Sequence, residues 1–350
     1  MTRTTRHALL FCLVFRAATP TQAAAQCPDG TPPPCARPGA RPATAAAPEN
    51  SVAVLYFENA GRDSTDAYLA DGLTEEIITR LSGVERLTVR SRYVVRRYRG
   101  TAMDDPASVG RALNVTYLVS GSIRRSGGRL RVNAELIRAA GATQVWGRQF
   151  DQAEGDVFGI QEAVSREVAT GIVGRLVPAE QQALATRPTR SAAAYDAMLR
   201  GNFYLARRDS VGLVRAIREY QAALSADPGY TDALSRTAVA YGLATGNGVN
   251  LGISRDSVAA IAVNVATEAV RRAPNSSDAW ISMALARFAA DPRGLAGMRE
   301  ADERAVALDP SSAEAHHQLS FALGLLGQDS AAVAQTRSRA SLMPRFINPL

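Results

Sequence analysis

Four prolines in the C-terminal half of the chain each follow a similar helical stretch, and this pattern limits the possible folds most. The stretches are "AALSADPGYTDAL", "EAVRRAPNSSDAW", "RAVALDPSSAEAH" and "RASLMPRF". Their prolines, Pro228, Pro274, Pro310 and Pro344, stand 46, 36 and 34 residues apart. Because proline cannot continue a helix, each one marks the end of a helix. Recurrence at about this length predicts a stack of helix pairs.

Small residues precede the prolines at the positions where the second helix of a pair would approach its neighbour closely. They are Ala216, Ala223, Ala262, Ala269, Ala305 and Ala332. The period and these positions resemble the tetratricopeptide (TPR) repeat. We predict an all-α TPR solenoid over residues 191–344, with helix pairs at 191–228, 231–274, 277–310 and 313–344. The third pair departs from the pattern at Asp302, where a large apolar residue is usual. A generic helical bundle is the alternative.

The TPR resemblance implies a concave groove lined by the first helix of each pair, and such grooves hold extended peptides or helices. We therefore expect a protein or peptide partner. The repeat frame places six side chains in this groove: Ser235, Val239, Ile281, Leu285, His317 and Phe321. The alternative is that the apolar members, such as Ile281, only pack within the solenoid.

Strands and helices alternate in the N-terminal half. The run "SVAVLYF" from Ser51 is typical of a buried strand, and "LTVRSR" (87–92) predicts a second strand. Residues 129–136 alternate between arginine or polar side chains and apolar ones, and "SGG" (126–128) before them indicates a hairpin turn. With helices at 67–82, 105–113 and 156–176, the order predicts an α/β domain with a mixed sheet over 51–176. Residues 177–190 are expected to be a linker.

The α/β half also resembles a known family. The similarity rests on "SVAVLYFENAGRDSTDAYLADGLTEEIITRLSGVERLTVRSR" and "ALNVTYLVSGSIRRSGGRLRVNAELIRAAGATQVWGRQFD". Within these stretches, Phe57-x-Asn59, the "ADGL" at 70–73 and Gly121-Ser122 are similar to FlgO-type or TolB-amino-terminal-like domains. The resemblance implies a domain that precedes TPR arrays in bacterial signalling and envelope proteins, without a catalytic role.

The N-terminus is typical of an export signal. A basic start is followed by the apolar run Ala8–Phe15, and Ala23 and Ala25 are the small residues before a cleavage site. The apolar run is far shorter than the ~20 residues that span a bilayer. We expect a signal peptide over 1–25, a Pro/Ala-rich disordered tether over 26–50, and no transmembrane span after cleavage. The protein would then lie in the periplasm or cell envelope; the alternative is the cytoplasm. Whether Cys27 and Cys35 form a disulfide is left open.

Charge gives little support for nucleic-acid binding. The formal net charge is +7, but all 40 basic residues are arginine. A complete absence of lysine indicates a biased coding sequence more than a phosphate-binding face. The segment "RSRYVVRRYRG" (90–100) interleaves arginine with tyrosine, as an anionic-surface patch would. We interpret it as an ordinary solvated surface.

No motif in the chain predicts a catalytic or cofactor site. Asp71, Glu75 and Glu76 accompany the apolar stripe of a helix at 67–82, which favours a solvated helix face over an acid/base pair. The adjacent His316 and His317 cannot both face one metal ion. "GNGVNLG" (246–252) follows a helix, unlike a dinucleotide loop, and is interpreted as an inserted turn. Neither Ser120 nor Ser122 stands at a nucleophile elbow.

These observations favour an exported, non-enzymatic adaptor or scaffold that binds protein or peptide partners through the TPR groove and the α/β domain. We expect no cofactor, no metal site and no catalytic residue, and nucleic acid is not expected as a partner. The alternative is a regulatory or sensor subunit of a bacterial signalling or transcription system. The sequence leaves the oligomeric state open.

Overall fold

The computed structural model describes residues 47–61, 66–100, 105–153 and 157–342. Across these ranges an α/β domain with a mixed sheet is followed by an all-α solenoid, which confirms the predicted fold class. The elements of the α/β domain are β1 (Ser51–Val54), β2 (Glu58–Asn59), α1 (Ala67–Ser82), β3 (Thr88–Val89), α2 (Arg92–Val95), α3 (Pro106–Leu113), β4 (Tyr117–Ser126), β5 (Arg129–Arg138), β6 (Thr143–Ala153), α4 (Val157–Val173) and α5 (Pro178–Ala185).

The sheet has the order β3-β1-β4-β5-β6, and the short β2 pairs with β4. β1 runs parallel to both of its neighbours, whereas β4, β5 and β6 form an antiparallel meander. The predicted hairpin turn between β4 and β5 is confirmed. Gly127 and Gly128 sit there with φ of 60° and 71°, a conformation that favours glycine.

Helices lie on both faces of the sheet. The chain leaves β1 through α1 to reach β3, and it returns past β1 through α2 and α3 to reach β4. Right-handed crossovers in opposite directions put α1 and α3 on opposite faces. α4 lies on the α1 face, where its Gly171 packs against Trp146 and Leu136. The predicted apolar stripe of α1 is confirmed, since all four of its members are at most 2% exposed: Leu69, Leu73, Ile77 and Leu81.

Two expectations about local structure are wrong. The strand expected over 87–92 ends at Val89, and a helical turn, α2, begins at Arg92. This turn is favoured because it buries Val94 and Val95, which are 2% and 0% exposed. The expected linker contains α5, whose Leu184 is fully buried against the α/β core.

The solvated-face interpretation of the acidic side chains on α1 is also wrong for two of them. Glu76 forms the expected i,i+4 ion pair with Arg80 at 3.1 Å, but the Arg80 side chain is only 3% exposed. The Arg80 guanidinium also donates to the carbonyl oxygen of Leu184, so α5 covers this part of the helix. Burial raises the pKa of Glu76, and burial raises the pKa of Asp71 to about 6 against the opposing effect of Arg99. Tertiary packing, which helical periodicity does not encode, covers this face.

The solenoid consists of consecutive antiparallel helix pairs. Its helices are α6 (Ala192–Leu205), α7 (Ser210–Ala226), α8 (Thr231–Gly246), α9 (Arg255–Arg272), α10 (Ser277–Ala290), α11 (Leu295–Leu308), α12 (Ala313–Leu325) and α13 (Asp329–Leu342). The predicted small positions permit close approach of neighbouring helices. Five are fully buried, namely Ala216, Ala223, Ala262, Ala269 and Ala305, and Ala332 is half-buried. The segment 247–254 between α8 and α9 confirms the expected inserted turn.

The first solenoid helix is packed into the α/β domain. Tyr195 and Leu199 of α6 belong to the same buried cluster as α1 and α4. The Tyr195 ring lies 4.3 Å from that of Phe158, and its hydroxyl accepts a hydrogen bond from Gln161 Nε2 at 2.6 Å. The Tyr68 hydroxyl donates to Asp196 Oδ1 at 2.7 Å. The two halves of the chain therefore share a core.

The export signal at 1–25 and nearly all of the tether, with Cys27 and Cys35, lie outside the described residues. Export stays a prediction for that reason. No helix in the described ranges combines the length and the apolar character that a membrane span requires.

Candidate binding site on the inner face of the solenoid

A cavity of about 110 Å³ lies on the inner face of the solenoid, where α8 and α10 meet. Ser235 and Val239 of α8 and Ile281 and Leu285 of α10 line it, and each pair is spaced four residues apart on one helix face. Ser235, Val239 and Ile281 are 3%, 8% and 4% exposed. The structure thus brings together four of the six predicted groove residues, and their role in partner binding stays a prediction.

The other two predicted residues lie beyond this cavity, on α12. His317 and Phe321 are exposed, and the Phe321 ring packs edge-on against Phe288 with centroids 5.7 Å apart. Burial of part of the imidazole lowers the pKa of His317, and Arg339 acts in the same direction. Instead of these two side chains, α12 contributes Glu314 to the cavity.

The α/β domain supplies the opposite wall of the cavity. Arg92, Tyr93 and Arg96, from α2 and the turn after it, border the space. The Tyr93 hydroxyl donates to Glu314 Oε2 at 2.7 Å, which connects this wall to the fourth helix pair. Arg92 Nη1 donates to Glu75 Oε2 at 3.2 Å. The site is therefore composite, with residues that are more than 200 positions apart facing one another.

Both signs of charge line the cavity. The contributing groups are the arginines Arg92, Arg96, Arg208 and Arg236 and the carboxylates Glu75, Asp278 and Glu314. Burial alone would raise the pKa of Glu314, but hydrogen bonds from Tyr93 and Gln318 hold it below its ordinary value, so this group is ionised at neutral pH. Arg236 and Asp278 stand 3.9 Å apart, too far for a direct hydrogen bond. This loose pair leaves polar groups that a bound segment can contact.

Sequence reasoning missed several of these residues, although a signal existed for some of them. Asp278 stands three positions before Ile281, and Glu314 three before His317, so each shares a helix face with a predicted groove residue. Arg236 follows Ser235 directly. For Arg92 and Tyr93 the sequence held no such signal, because they come from the other domain and only tertiary packing places them here.

The residues that could carry other chemistry do not form a recognisable centre. Within the described residues, no group of three or more His, Cys, Asp or Glu side chains could hold a metal ion. Ser120 Oγ donates to Glu135 Oε1 at 2.5 Å on the surface of the sheet, and Ser122 Oγ accepts from Asn133 Nδ2 at 3.3 Å. The two histidines among the described residues, His316 and His317, lie on α12, and neither is a hydrogen-bond partner of these serines.

Comparison with known proteins finds one family model for the N-terminal half and one curated relative over about half of the chain. Residues 48–190 match a family model described as the second domain of HilA/YgeH-like transcriptional regulators, which covers less than half of the chain. A protein of Rhizobium meliloti (strain 1021) named "Putative adenylate cyclase 3" is 33% identical over 179 residues. That alignment covers 51% of this chain and 30% of the relative, so the chain spans under a third of that protein's length.

Similar solved structures include a TolB protein and a TPR domain, the two kinds of protein that the sequence resembles. TolB from Acinetobacter baumannii is 19% identical, with 38% of this chain and 30% of TolB covered, at a TM-score of 0.29. The first TPR of Spaghetti (RPAP3), bound to an HSP90 peptide, is 23% identical, with 41% and 99% covered, at a TM-score of 0.31. Both TM-scores are well below 0.5, so the evidence for the fold is the arrangement of the elements themselves. The FlgO resemblance stays a prediction.

The expectation that the chain is not an enzyme is contradicted by the cyclase-named relative. That expectation rested on the lack of dinucleotide, phosphate-loop and nucleophile-elbow motifs. Lack of a motif excludes only the chemistry that the motif describes, and a protein named as an enzyme contains a stretch related to this one.

Proposed function

We propose that this chain is a regulatory unit of a bacterial signalling system, and that it binds a segment of a protein partner along the inner face of its solenoid. The observation that carries the proposal is the composite cavity, in which the apolar side chains of α8 and α10 face arginines and carboxylates from both halves of the chain. Apolar contact area and charged groups side by side suit a peptide, which presents both side chains and backbone groups.

The family model and the curated relative favour a signalling role over an envelope scaffold. The family model for the α/β half is described as part of transcriptional regulators, and the relative of about one-third identity is named as an adenylate cyclase. An interaction unit of this kind would couple partner binding to an output carried elsewhere. The core that α6 shares with the α/β domain supports such coupling, because it joins the two halves of the chain that line the cavity.

Site-specific photo-crosslinking in the native host tests the proposal. A photoreactive phenylalanine analogue is placed at Leu285, in the cavity wall, and in parallel at Val211, which is 56% exposed on α7. We expect a discrete adduct of a signalling protein with the Leu285 variant and none with the Val211 variant. Mass spectrometry of the adduct then identifies the partner.

A second substitution separates specific binding from chance capture. Arg236→Ala removes a guanidinium from the cavity. Loss of a hydrogen bond to a charged group costs about 1.5–3 kcal/mol of binding free energy, so we expect the adduct yield to fall roughly tenfold or more. Arg215→Ala on α7 serves as the matched control, since this arginine lies over the Tyr204 ring and does not line the cavity. Equal adduct yields from the Leu285 and Val211 variants, or an adduct yield that does not change with Arg236→Ala, would contradict the proposal.

A further inference from the structure

A second and larger cavity, of about 620 Å³, lies on the face of the sheet opposite α1 and α4. α3 lies on this face but covers only one end of it. There it packs closely enough that a Cβ on Gly110 would stand 2.2 Å from the Cβ of Ala139. The central part of β4, β5 and β6 is left uncovered by helices, and the cavity opens over it.

The strand register sets the chemistry of the cavity floor. Ser120, Glu135 and Gly147 lie side by side on β4, β5 and β6. The next row lies two residues further along β4 and consists of Ser122, Asn133 and Gln149. Because side chains alternate between the faces of a strand, both rows point to the face opposite α4. They present hydroxyl, amide and carboxylate groups together.

The rim of the cavity comes from the chain segments that follow two parallel strands. Leu55, Tyr56 and Glu58 follow the carboxyl end of β1, and Tyr98 comes from the helical turn after α2, in the connection that follows β3. The connections from β1 and β3 leave toward opposite faces of the sheet, which makes this edge a topological switch point. In open α/β sheets, ligands bind in the crevice outside the carboxyl ends of the strands at such a point.

We propose that this cavity binds a neutral polyhydroxylated small molecule, of the size of a mono- or disaccharide. Hydroxyl, amide and carboxylate side chains both donate to and accept from sugar hydroxyls, and Glu135 is a strong acceptor. Tyr56 and Tyr98 supply aromatic surface at the rim. The volume lies within the range of about 300–1,000 Å³ that is usual for small-molecule sites.

The charges around the cavity disfavour other ligands. Glu58 and Glu135 would repel a phosphate or carboxylate. Arg148 is the one arginine among the described residues at the border, and its Nη1 is held by Glu167 Oε1 at 2.6 Å. An apolar ligand would leave the polar rows without partners, which is costly. A cationic amine is the competing ligand class, and the experiment includes it.

The test uses saturation-transfer difference NMR on the full chain with named probes. D-glucose, D-ribose, maltose and chitobiose represent the proposed class, glucose 6-phosphate represents anions, and spermidine represents cations. We expect saturable binding of at least one neutral saccharide, and weaker binding of both charged probes. A lack of binding by all four saccharides, or a preference for either charged probe, overturns the proposal.

Variants locate the binding. Glu135→Ala removes the carboxylate and Ser122→Tyr fills the cavity, and each is expected to weaken saccharide binding at least tenfold. Arg124→Ala is the matched control, because this exposed residue follows Ser122 by two positions on the same face of β4 and does not line the cavity. Circular dichroism checks that each variant folds. Binding that survives both Glu135→Ala and Ser122→Tyr overturns the proposal, even if a saccharide binds elsewhere on the chain.

The saccharide-binding test can fail while the crosslinking test of the proposed function succeeds, and the reverse. The cavity over the sheet and the cavity of the solenoid share only Tyr56 among their lining residues. Ser122→Tyr is therefore expected to leave crosslinking at Leu285 intact, and Arg236→Ala is expected to leave saccharide binding intact.

Discussion

At the scale of single residues, Asp302 is the side chain most at odds with its surroundings. It lies on α11, is fully buried, and both carboxyl oxygens lack a hydrogen-bond partner among the described residues. Burial raises the pKa of Asp302 to about 8, and nearby Glu314 acts in the same direction. The repeat pattern favours a large apolar residue here, so the chain has a polar group at a position that the fold buries.

The pKa of Asp302 predicts that its contribution to stability falls as the pH rises. The folded-state pKa of about 8 exceeds the ordinary aspartate value of about 4. The folded chain therefore binds a proton that the unfolded chain releases. This contribution is fully present below about pH 4 and is lost as the pH rises toward 8. Asp302→Asn keeps the size of the side chain but removes this titration.

Thermal unfolding at pH 5 and pH 8 measures the effect. The melting temperature of the unsubstituted chain should fall from pH 5 to pH 8, and we expect this fall to be smaller for Asp302→Asn. At pH 8 we expect Asp302→Leu to be more stable than Asp302→Asn. Glu303→Gln is the control, because Glu303 is the next residue of α11 and its side chain is 53% exposed. This variant should leave the melting temperature at both pH values nearly unchanged. An unchanged pH dependence in Asp302→Asn would show that the carboxyl group does not titrate as inferred.

At the scale of elements, close helix packing depends on glycine at particular positions. Gly201 of α6 faces the ring of Tyr220 on α7, and a Cβ there would stand 2.3 Å from the ring carbon Cε1. Tyr220 is fully buried, and its hydroxyl donates to Asn202 Oδ1 at 2.9 Å. The ring therefore has little freedom to move. Gly324 of α12 is different, since nothing lies within 4 Å of its added Cβ.

This difference predicts opposite effects for the same substitution. Gly201→Ala gains about 1 kcal/mol of helix propensity but overpacks the α6–α7 contact at a cost of about 1–3 kcal/mol. We expect a net loss of stability. Gly324→Ala brings no such contact and is expected to stabilise the chain by about 0.5–1 kcal/mol. Denaturant unfolding of both variants checks the prediction, and a stabilised Gly201→Ala variant would mean that Tyr220 can shift.

At the scale of the whole molecule, the two halves of the chain are not independent. Tyr195 and Leu199 of α6 are buried among residues of α1 and α4, and a Cβ on Gly72 of α1 would lie 2.7 Å from Leu199 Cδ2. The domain boundary predicted near residue 191 therefore separates α6 from part of its own core. That boundary stays a prediction, but the contacts show what a cut there would expose.

A fragment of residues 191–350 is expected to have a weakened first helix. Without the α/β domain, Tyr195 and Leu199 lose their apolar surroundings, so α6 should open more often than in the full chain. Amide hydrogen exchange followed by mass spectrometry compares the two molecules. We expect faster exchange in 192–205 of the fragment and nearly unchanged exchange in α10, whose neighbours are retained. Equal protection of α6 in both would indicate that the shared core contributes little.

Local and periodic signals in the sequence were sufficient to predict the class of both halves of the chain. Proline spacing and the small residues before the prolines were sufficient to predict the solenoid, and the alternation of strands and helices was sufficient to predict the α/β class. N-caps such as Ser276, whose side chain accepts from the backbone N–H of Ala279, are local in the same way. Four residues of the inner face followed from the helical repeat, because positions four apart on a helix share a face.

Which of these surfaces face each other depends on long-range packing, which no local pattern in the sequence predicts. The burial of Arg80 and Glu76, the helix within the expected linker and the wall formed by Arg92 and Tyr93 all depend on packing between segments that are distant in sequence. The uncovered polar rows of the sheet depend on how far α3 extends across it. Periodicity in the sequence shows which side of a helix or strand is apolar. Which other element covers that side, or whether it stays uncovered, depends on how the whole chain packs.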